Sequence, residues 1–349
     1  MKKILLGASA LSIAGFAGAA SAQEVTAQIG GFMTSGFGYF DTSEDVPDAT
    51  NFTVINNAEV IFNFRLVADN GITFGAKVEF EASGTSENAD EYVGTVRGSF
   101  GTIEVGREDG AGDRLAGAAA GATAFTAAGD AAGILFDYND SLVGVVSTDG
   151  GDTGDQLKVT YFTPTFAGFQ AGVSFTPGGD SRSGRAAGQG EVSTNETDND
   201  TAAFELGAKY SNDFGGFGLD VGGAYIAPLE SDTFGHDGAF IVSANVGFGG
   251  FTVGGIYGLQ FDGATSASGA AEDTGGYAIG ANYETGPWNF GLQWAQGVDN
   301  ADDVMGLSAG ADYALAPGVT VGVVLEYGED DTSVAEEAYA GGVFMNLDF

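Results

Sequence analysis

Side chains that commonly carry covalent catalysis are scarce in this sequence. Cysteine is absent, and the one histidine, His236, lies in the Gly- and Asp-containing segment Phe234–Gly238. The sequence has no phosphate-cradling loop, zinc-ligand spacing or nucleophile elbow. A catalytic nucleophile needs a base within hydrogen-bond reach, and no partner for His236 stands near it in the sequence. The sequence therefore predicts a protein that is not an enzyme.

Acidic side chains dominate the charge of the chain. It has 48 Asp and Glu against 11 Lys and Arg, a formal net charge of −37. Such a charge excludes nucleic acid as a partner and favours cationic solutes or divalent cations. Calcium is a possible ligand of acidic loops such as Asp198-Asn199-Asp200, although no spacing matches an EF-hand, and a solvated acidic loop is the alternative. We expect no required cofactor.

The first residues predict export. Lys2 and Lys3 precede an apolar stretch from Ile4 to Ala20, and the residues Ala20-Ser21-Ala22 form a small-x-small cleavage pattern. We therefore expect a signal peptide at 1–22 and a mature domain at 23–349.

The mature sequence alternates between apolar and polar or small residues. Trp288, Phe290, Leu292 and Trp294, for example, alternate with Asn289, Gly291, Gln293 and Ala295. No stretch with the helical period competes with this period of two, which is typical of β-strands. The chain also contains 60 glycines and only 6 prolines, which fits many strands joined by tight turns.

Each alternating run is interpreted as a strand, which gives about sixteen strands. The predicted ranges are 25–40, 54–68, 72–84, 91–99, 102–107, 156–163, 168–177, 201–212, 217–227, 239–248, 251–262, 275–285, 288–297, 305–315, 318–327 and 338–349. Short turns such as Asp69–Gly71 and Gly249–Gly250 alternate with long polar segments such as 178–200. Short turns at one rim and long loops at the other are typical of outer-membrane barrels.

The number of apolar strand faces decides between a membrane barrel and a soluble sheet protein. About sixteen such faces are too many for one core, and they would overfill a barrel if they pointed inward. Pointing outward they contact lipid, and closure of the sheet pairs every backbone group within the bilayer. The predicted fold is all-β: a transmembrane antiparallel β-barrel of about sixteen strands.

Three stretches resemble the Gram-negative general diffusion porins, in particular those of alphaproteobacterial type. The internal two are Val96–Arg107, which reads VRGSFGTIEVGR, and Val159–Gly172, which reads VTYFTPTFAGFQAG. The third is the last strand, Ala338–Phe349, with alternating apolar residues and a terminal Phe, similar to the signal that barrel proteins present to their insertion machinery. The resemblance implies a homotrimer in the outer membrane and a long third loop folded into the lumen.

A segment suited to that loop follows the fifth predicted strand. From Glu108 to Asp155 the period of two lapses, and the segment is rich in Ala and Gly. A connection this long is usually functional, and a constriction loop at 108–155 is such a function. Residues 142–146 could form a further strand, but an odd count is disfavoured in bacterial barrels, so we assign them to the loop.

Candidate pore charges come from strand parity and from the resemblance. Parity turns Lys77 and Glu79 inward, because Phe74, Ala76, Val78 and Phe80 take the lipid face. Arg65 and Arg97 also fall on inward positions, near the mouth. The family places acids on the loop and basic residues on the facing wall. By position Arg107 matches a wall arginine, and the candidate loop acids are Glu108, Asp109, Asp113 and Asp130.

These observations predict a water-filled channel for passive diffusion of small hydrophilic solutes and ions, with a preference for cations. A substrate-specific outer-membrane channel shares every feature except its pore lining and stays an alternative. A secreted calcium-binding surface protein or adhesin is the other alternative, although the tandem Gly and Asp repeats of such proteins are absent.

Overall fold

The structure is a computed structural model that describes residues 25–42, 51–82, 89, 91–126, 153–177, 202–229, 237–265, 271–299, 304–330 and 337–349. The predictions for the signal peptide at 1–22, Asp130, the segment 142–146, the acidic loop 198–200 and His236 concern residues outside these ranges. Among the described residues, no helix is long and apolar enough to cross a membrane.

The described residues form sixteen strands and one short helix. The strands are β1 (Val25–Thr42), β2 (Phe52–Val67), β3 (Thr73–Glu81), β4 (Tyr92–Gly98), β5 (Gly101–Arg107), β6 (Leu157–Phe162), β7 (Phe169–Thr176), β8 (Ala203–Asp213), β9 (Gly218–Pro228), β10 (Gly238–Phe248), β11 (Phe251–Thr265), β12 (Ala271–Thr285), β13 (Trp288–Asp299), β14 (Val304–Ala316), β15 (Val319–Asp330) and β16 (Glu337–Asp348). The helix α1 spans Ala111–Ala116. All sixteen predicted strands are confirmed, whereas α1 was not predicted.

The sheet closes on itself. Every strand pairs antiparallel with the next one, and β1 pairs with β16, from Phe32 opposite Asp348 to Thr42 opposite Ala338. Beyond the last strand pair, the amide of Gly31 donates to the carbonyl of Phe349 and the amide of Phe349 donates to that of Gly31, both at 3.0 Å. A closed antiparallel sheet has no edge, so its backbone groups can cross a bilayer fully paired.

The outer face of the barrel is apolar. On β13 the side chains of Trp288, Phe290 and Leu292 are exposed, while Gln293 on the opposite face is fully buried. The same alternation leaves Leu206 on β8 51% exposed and Leu325 on β15 64% exposed. Large apolar side chains with this exposure, on a sheet whose other face is polar, are the lipid-contacting residues of a membrane barrel.

Aromatic rings gather at the rim that carries the short turns. The turn at Gly249-Gly250 joins β10 to β11, and the ring of Phe251 beside it stacks on Tyr283 with centroids 4.3 Å apart. The ring of Trp288, just after the Gly286-Pro287 turn, meets Tyr313 at 4.8 Å. Amphipathic rings prefer the boundary between hydrocarbon and water, so this rim marks one interface of the membrane.

Glycines line the inner face along the path of the chain that follows β5. A Cβ atom at Gly207, Gly222, Gly280 or Gly291 would come within 3.0 Å of a backbone oxygen in the segment 111–121. We call these four residues the glycine track. Their missing side chains let the inserted backbone lie directly against β8, β9, β12 and β13. The glycine content predicted strands and tight turns, but it gave no sign of this packing role.

We predict that Gly222→Ala lowers the free energy of unfolding by about 1–3 kcal/mol, the usual cost of overpacking. The added Cβ would meet the carbonyl of Ala116 and force the inserted segment away from β9. Urea unfolding of the refolded barrel measures the change. The matched control is Gly216→Ala in the turn between β8 and β9, where a Cβ has no atom within 4 Å. Equal losses in both variants would contradict a packed track.

Candidate functional site

The chain between β5 and β6 enters the barrel and follows its inner wall, as predicted for the third loop. Polar wall side chains bind its backbone in sequence. Ser243 on β10 donates to the carbonyl of Ala116 at 2.5 Å, and Gln293 on β13 donates to that of Ala120 at 3.0 Å. Further along, Asp312 on β14 accepts from the amide of Ala124 at 2.6 Å. The described part of this path closes with an aromatic contact between Phe125 and Phe344 on β16, with ring centroids 5.4 Å apart.

These bonds satisfy backbone groups that no strand ladder pairs, which is why the inner wall carries polar residues at these positions. Asn282 on β12 illustrates the pattern, since its side chain accepts from the amide of Gly121 and donates to the carbonyl of Ala122, both at 2.6 Å. The confirmed part of the inserted loop is therefore held along the wall up to residue 126. Residues 127–152 of the predicted loop are not among those described.

Lys77 is the centre of a charged cluster on the lumen side. Its Nζ lies 2.9 Å from Glu79, 2.6 Å from Glu91 and 2.5 Å from Glu108, measured to carboxylate oxygens. Two of these acids, Glu79 and Glu108, were candidates from the sequence, and Lys77 and Glu79 face inward as predicted. We call these four residues the Lys77 cluster.

Strand register explains why these side chains meet. Lys77 on β3 lies opposite Val93 on β4, which lies opposite Gly106 on β5. Each of these three strand positions is followed, two residues along on the same inward face, by an acid: Glu79, Glu91 and Glu108. The three acids therefore lie side by side, next to the Lys77 ammonium. Three like charges in a row are destabilising unless a cation balances them, and Lys77 supplies that cation.

A second ion pair joins the loop to the wall. Arg114 on α1 places Nη1 2.5 Å from Oε2 of Glu104 on β5, and its guanidinium lies 4.5 Å from the centre of the Phe162 ring. Neither Arg114 nor Glu104 was a predicted pore charge. Parity along β5 could have turned Glu104 inward, because it alternates with the apolar Ile103 and Val105. Arg114 had no such signal, since it lies in a segment without any period.

The two described aspartates of the loop, Asp109 and Asp113, differ in burial. Asp109 is half-buried, and its carboxylate lies within 4.8 Å of those of Glu91 and Glu108. Asp113 is exposed on α1. The three neighbouring carboxylates could bind a divalent cation by their oxygens, but the ammonium of Lys77 already contacts two of them. The geometry thus favours an ion-paired cluster.

Burial changes how the loop acids ionise. Burial raises the pKa of the Asp109 carboxyl above its ordinary value, and the nearby charge of Glu91 raises it further. Burial also raises the pKa of Glu108, although the ammonium of Lys77 opposes that rise. Both acids therefore take up a proton at a higher pH than exposed carboxyls do.

Arg107 is the last residue of β5, one position before Glu108. It lies opposite Tyr92 and Leu157 in the register and alternates with Gly106, which puts its Cα position on the same outward face as Ile103 and Val105. The sequence-based position on the lumen wall came from the resemblance and did not use this alternation. Arg97 lies at the inward side near the short turns, where its Nε donates to Thr102 at 3.2 Å.

The fold and the site together define a class of protein. A closed sixteen-strand barrel with an apolar outer face, and with a loop and paired charges inside it, is a transmembrane β-barrel of the outer-membrane type. The Gram-negative porin profile matches residues 8–333, and the chain belongs to the Gram-negative porin family, whose members lie in the outer membrane. No curated protein matches the sequence.

Solved porin structures share the fold. A triple mutant of Rhodopseudomonas blastica porin superposes with a TM-score of 0.62 at 17% identity, over 93% of this chain and 100% of that one. A double mutant of Rh. blastica porin gives 0.61 at 17% identity with the same coverage. A porin refined at 1.8 Å gives 0.60 at 19% identity, again over 93% and 100%. At these identities the likeness concerns the fold.

We predict that cation preference begins to fall as the pH is lowered from neutral, within the range in which ordinary carboxyls stay ionised. Burial raises the pKa values of Glu108 and Asp109, so these two loop acids take up a proton before exposed carboxyls do as the pH falls. Reversal potentials under a KCl gradient measure the effect at each pH. Asp109→Asn should show a smaller pH-dependent change than the unaltered protein, and a preference that is constant over this range would refute the assignment.

Proposed function

We propose that this porin is a water-filled channel for passive diffusion of small hydrophilic solutes and ions, that it prefers cations, and that it is not an enzyme. The observation that carries the proposal is the state of the lumen charges. Lys77 contacts three carboxylates, and Arg114 contacts Glu104. The Nζ of Lys209 on β8 lies 3.3 Å from Oδ1 of Asp220 on β9. Each of these three cations therefore contacts at least one carboxylate, and Lys77 contacts three.

Paired cations leave the acid excess to set the potential of the lumen. The chain carries a net charge of −37, and Asp109 and Asp113 are two further carboxylates on the loop side of the Lys77 cluster. A pore lined with acids concentrates cations and lowers their barrier relative to anions. Small residues such as Ala118 and Ala122 on the loop offer little for holding one particular solute, which favours general diffusion over a substrate-specific channel.

We predict that the refolded protein gives large single-channel steps in planar bilayers, with a reversal potential of the sign expected for cations. Asp109→Asn combined with Asp113→Asn should move that potential toward zero, because two loop charges are lost. Asp69→Asn, in the turn between β2 and β3, is the control with the same kind of charge change far from the loop. A folded barrel that does not conduct would overturn the channel function itself.

We also propose that copies of the chain associate in the trimer that the resemblance implies. The contact would be made by the low wall, the side of the barrel formed by its shortest strands. The strands β4, β5 and β6 contain only 7, 7 and 6 residues, while β11 contains 15. A strand needs about 9–11 residues to cross the hydrocarbon layer. The low wall is nevertheless apolar outside, with Val105 54% and Val159 48% exposed. A neighbouring copy would cover this face better than a full-thickness bilayer.

We predict that Val105→Lys converts the oligomer into monomers, since it puts a charge into the proposed contact. Light scattering coupled to size-exclusion chromatography in detergent measures the mass of the particle. Leu325→Lys on β15 is the matched control, because it puts the same side chain on the outer face of a tall strand and should leave the oligomer intact in detergent. An unaltered protein that is monomeric would end this part of the proposal.

A further inference from the structure

The two ends of the inserted loop meet at one buried carboxylate. Glu205 on β8 is fully buried, and its Oε2 accepts from the amide of Gly112 at 3.0 Å, where the loop enters. Its Oε1 accepts from the amide of Thr153 at 3.1 Å and from the hydroxyl of Thr153 at 2.5 Å, where the loop leaves. A single side chain therefore contacts both ends of the loop.

A buried ammonium makes a second connection between the same two ends. Lys158 on β6 donates from Nζ to the carbonyl of Glu108 at 2.7 Å and also to the carbonyl of Gly154. Lys158 is only 3% exposed. We call Lys158 and Glu205 the loop clamp, because each binds backbone groups from the entry and from the exit of the loop.

The surroundings of the clamp are built to hold it. A Cβ at Gly110 would collide with the carboxylate of Glu205, so the entering chain approaches it as closely as a bare backbone can. The hydroxyl of Thr176 on β7 donates to that of Thr153 at 3.1 Å, and Ser174 accepts from the amide of Ala111 at 2.7 Å. The clamp thus belongs to a buried polar network that ties β6, β7 and β8 to the loop.

The energetics favour a positioning role. Hydrogen bonds to charged groups contribute more than neutral ones, and a buried carboxylate is costly unless its oxygens accept bonds. In this protein those bonds come from the loop itself, so the wall charge is satisfied only while both loop ends are in place. The clamp thereby links Glu108 and Gly112 at the entry of the loop to Thr153 and Gly154 at its exit.

We propose that Glu205 and Lys158 are positioning residues that fix the inserted loop against the wall and thereby set the open cross-section of the channel. The effect on conduction rests on the channel function proposed above, whereas the effect on loop position does not. Neither residue is a pore charge, since both are buried behind the loop.

The variant Leu115→Cys can report the position of the loop. Leu115 on α1 is 4% exposed and lies against Gly207 of β8. Leu115→Cys fits because cysteine is smaller than leucine, and it introduces the only thiol of the chain. The rate at which a charged methanethiosulfonate reagent modifies this thiol measures how often the loop leaves the wall, without any current through the channel.

We expect Glu205→Gln to raise that rate about tenfold, because the amide replaces one acceptor oxygen by a donor that faces other donors. The open-channel current should also become noisier. Asp220→Asn is the matched control: it removes one inward carboxylate from the neighbouring strand, and among the described residues the bonds of Asp220 go to Ser211 and Lys209. It should leave the rate within about twofold of the parent.

Lys158→Met tests the clamp independently and decides the matter if Glu205→Gln does not fold, with heat-modifiable electrophoretic mobility as the check of folding. Restoration of slow modification by Lys158→Arg, which keeps the charge and the donors, is the result expected of a positioning residue. The proposal is overturned if folded variants of the clamp react no faster than the Asp220→Asn control. Loss of conduction in the unaltered protein would instead overturn the channel function and leave the reactivity result valid.

Discussion

The structure depends on one constraint: backbone amides and carbonyls cannot be left unpaired in hydrocarbon. A sheet meets this constraint only if its first and last strands pair, and here β1 and β16 do so along eleven residue pairs, followed by the bonds between Gly31 and Phe349. Closure gives every strand an inner and an outer face. The apolar outer face and the polar lumen are both consequences of that geometry combined with a period-two sequence.

The same constraint acts on the chain inside the barrel. Residues 110–126 join none of the barrel strand ladders, and the wall satisfies their backbone by side chains such as Ser243, Gln293 and Asp312. The glycine track lets this backbone approach the wall, and the Arg114–Glu104 ion pair adds a charged contact between the inserted segment and β5. The pore lining is therefore made partly by strands and partly by a loop whose shape the strands determine.

Much of the fold could be predicted because a barrel strand repeats one simple pattern sixteen times. The alternation that places Leu292 outward and Gln293 inward is local, so it is readable without any knowledge of the partner strands. Parity likewise turned Lys77 and Glu79 inward. Glu91, Arg114 and the clamp could not be found in this way, because each owes its role to register across several strands or to a segment without a period. Arg107 shows the converse. Its position in the motif suggested the lumen wall, whereas the register puts its Cα on the outward face of β5.

The glycine track limits which loops this barrel can accept. The inserted segment lies against wall positions that have no side chain. The path of its backbone and the positions of the wall glycines must therefore correspond. Moving this loop into a barrel without glycines at the corresponding wall positions would transfer its charges without room for its backbone, so we expect a loop exchange to require matching changes in the wall.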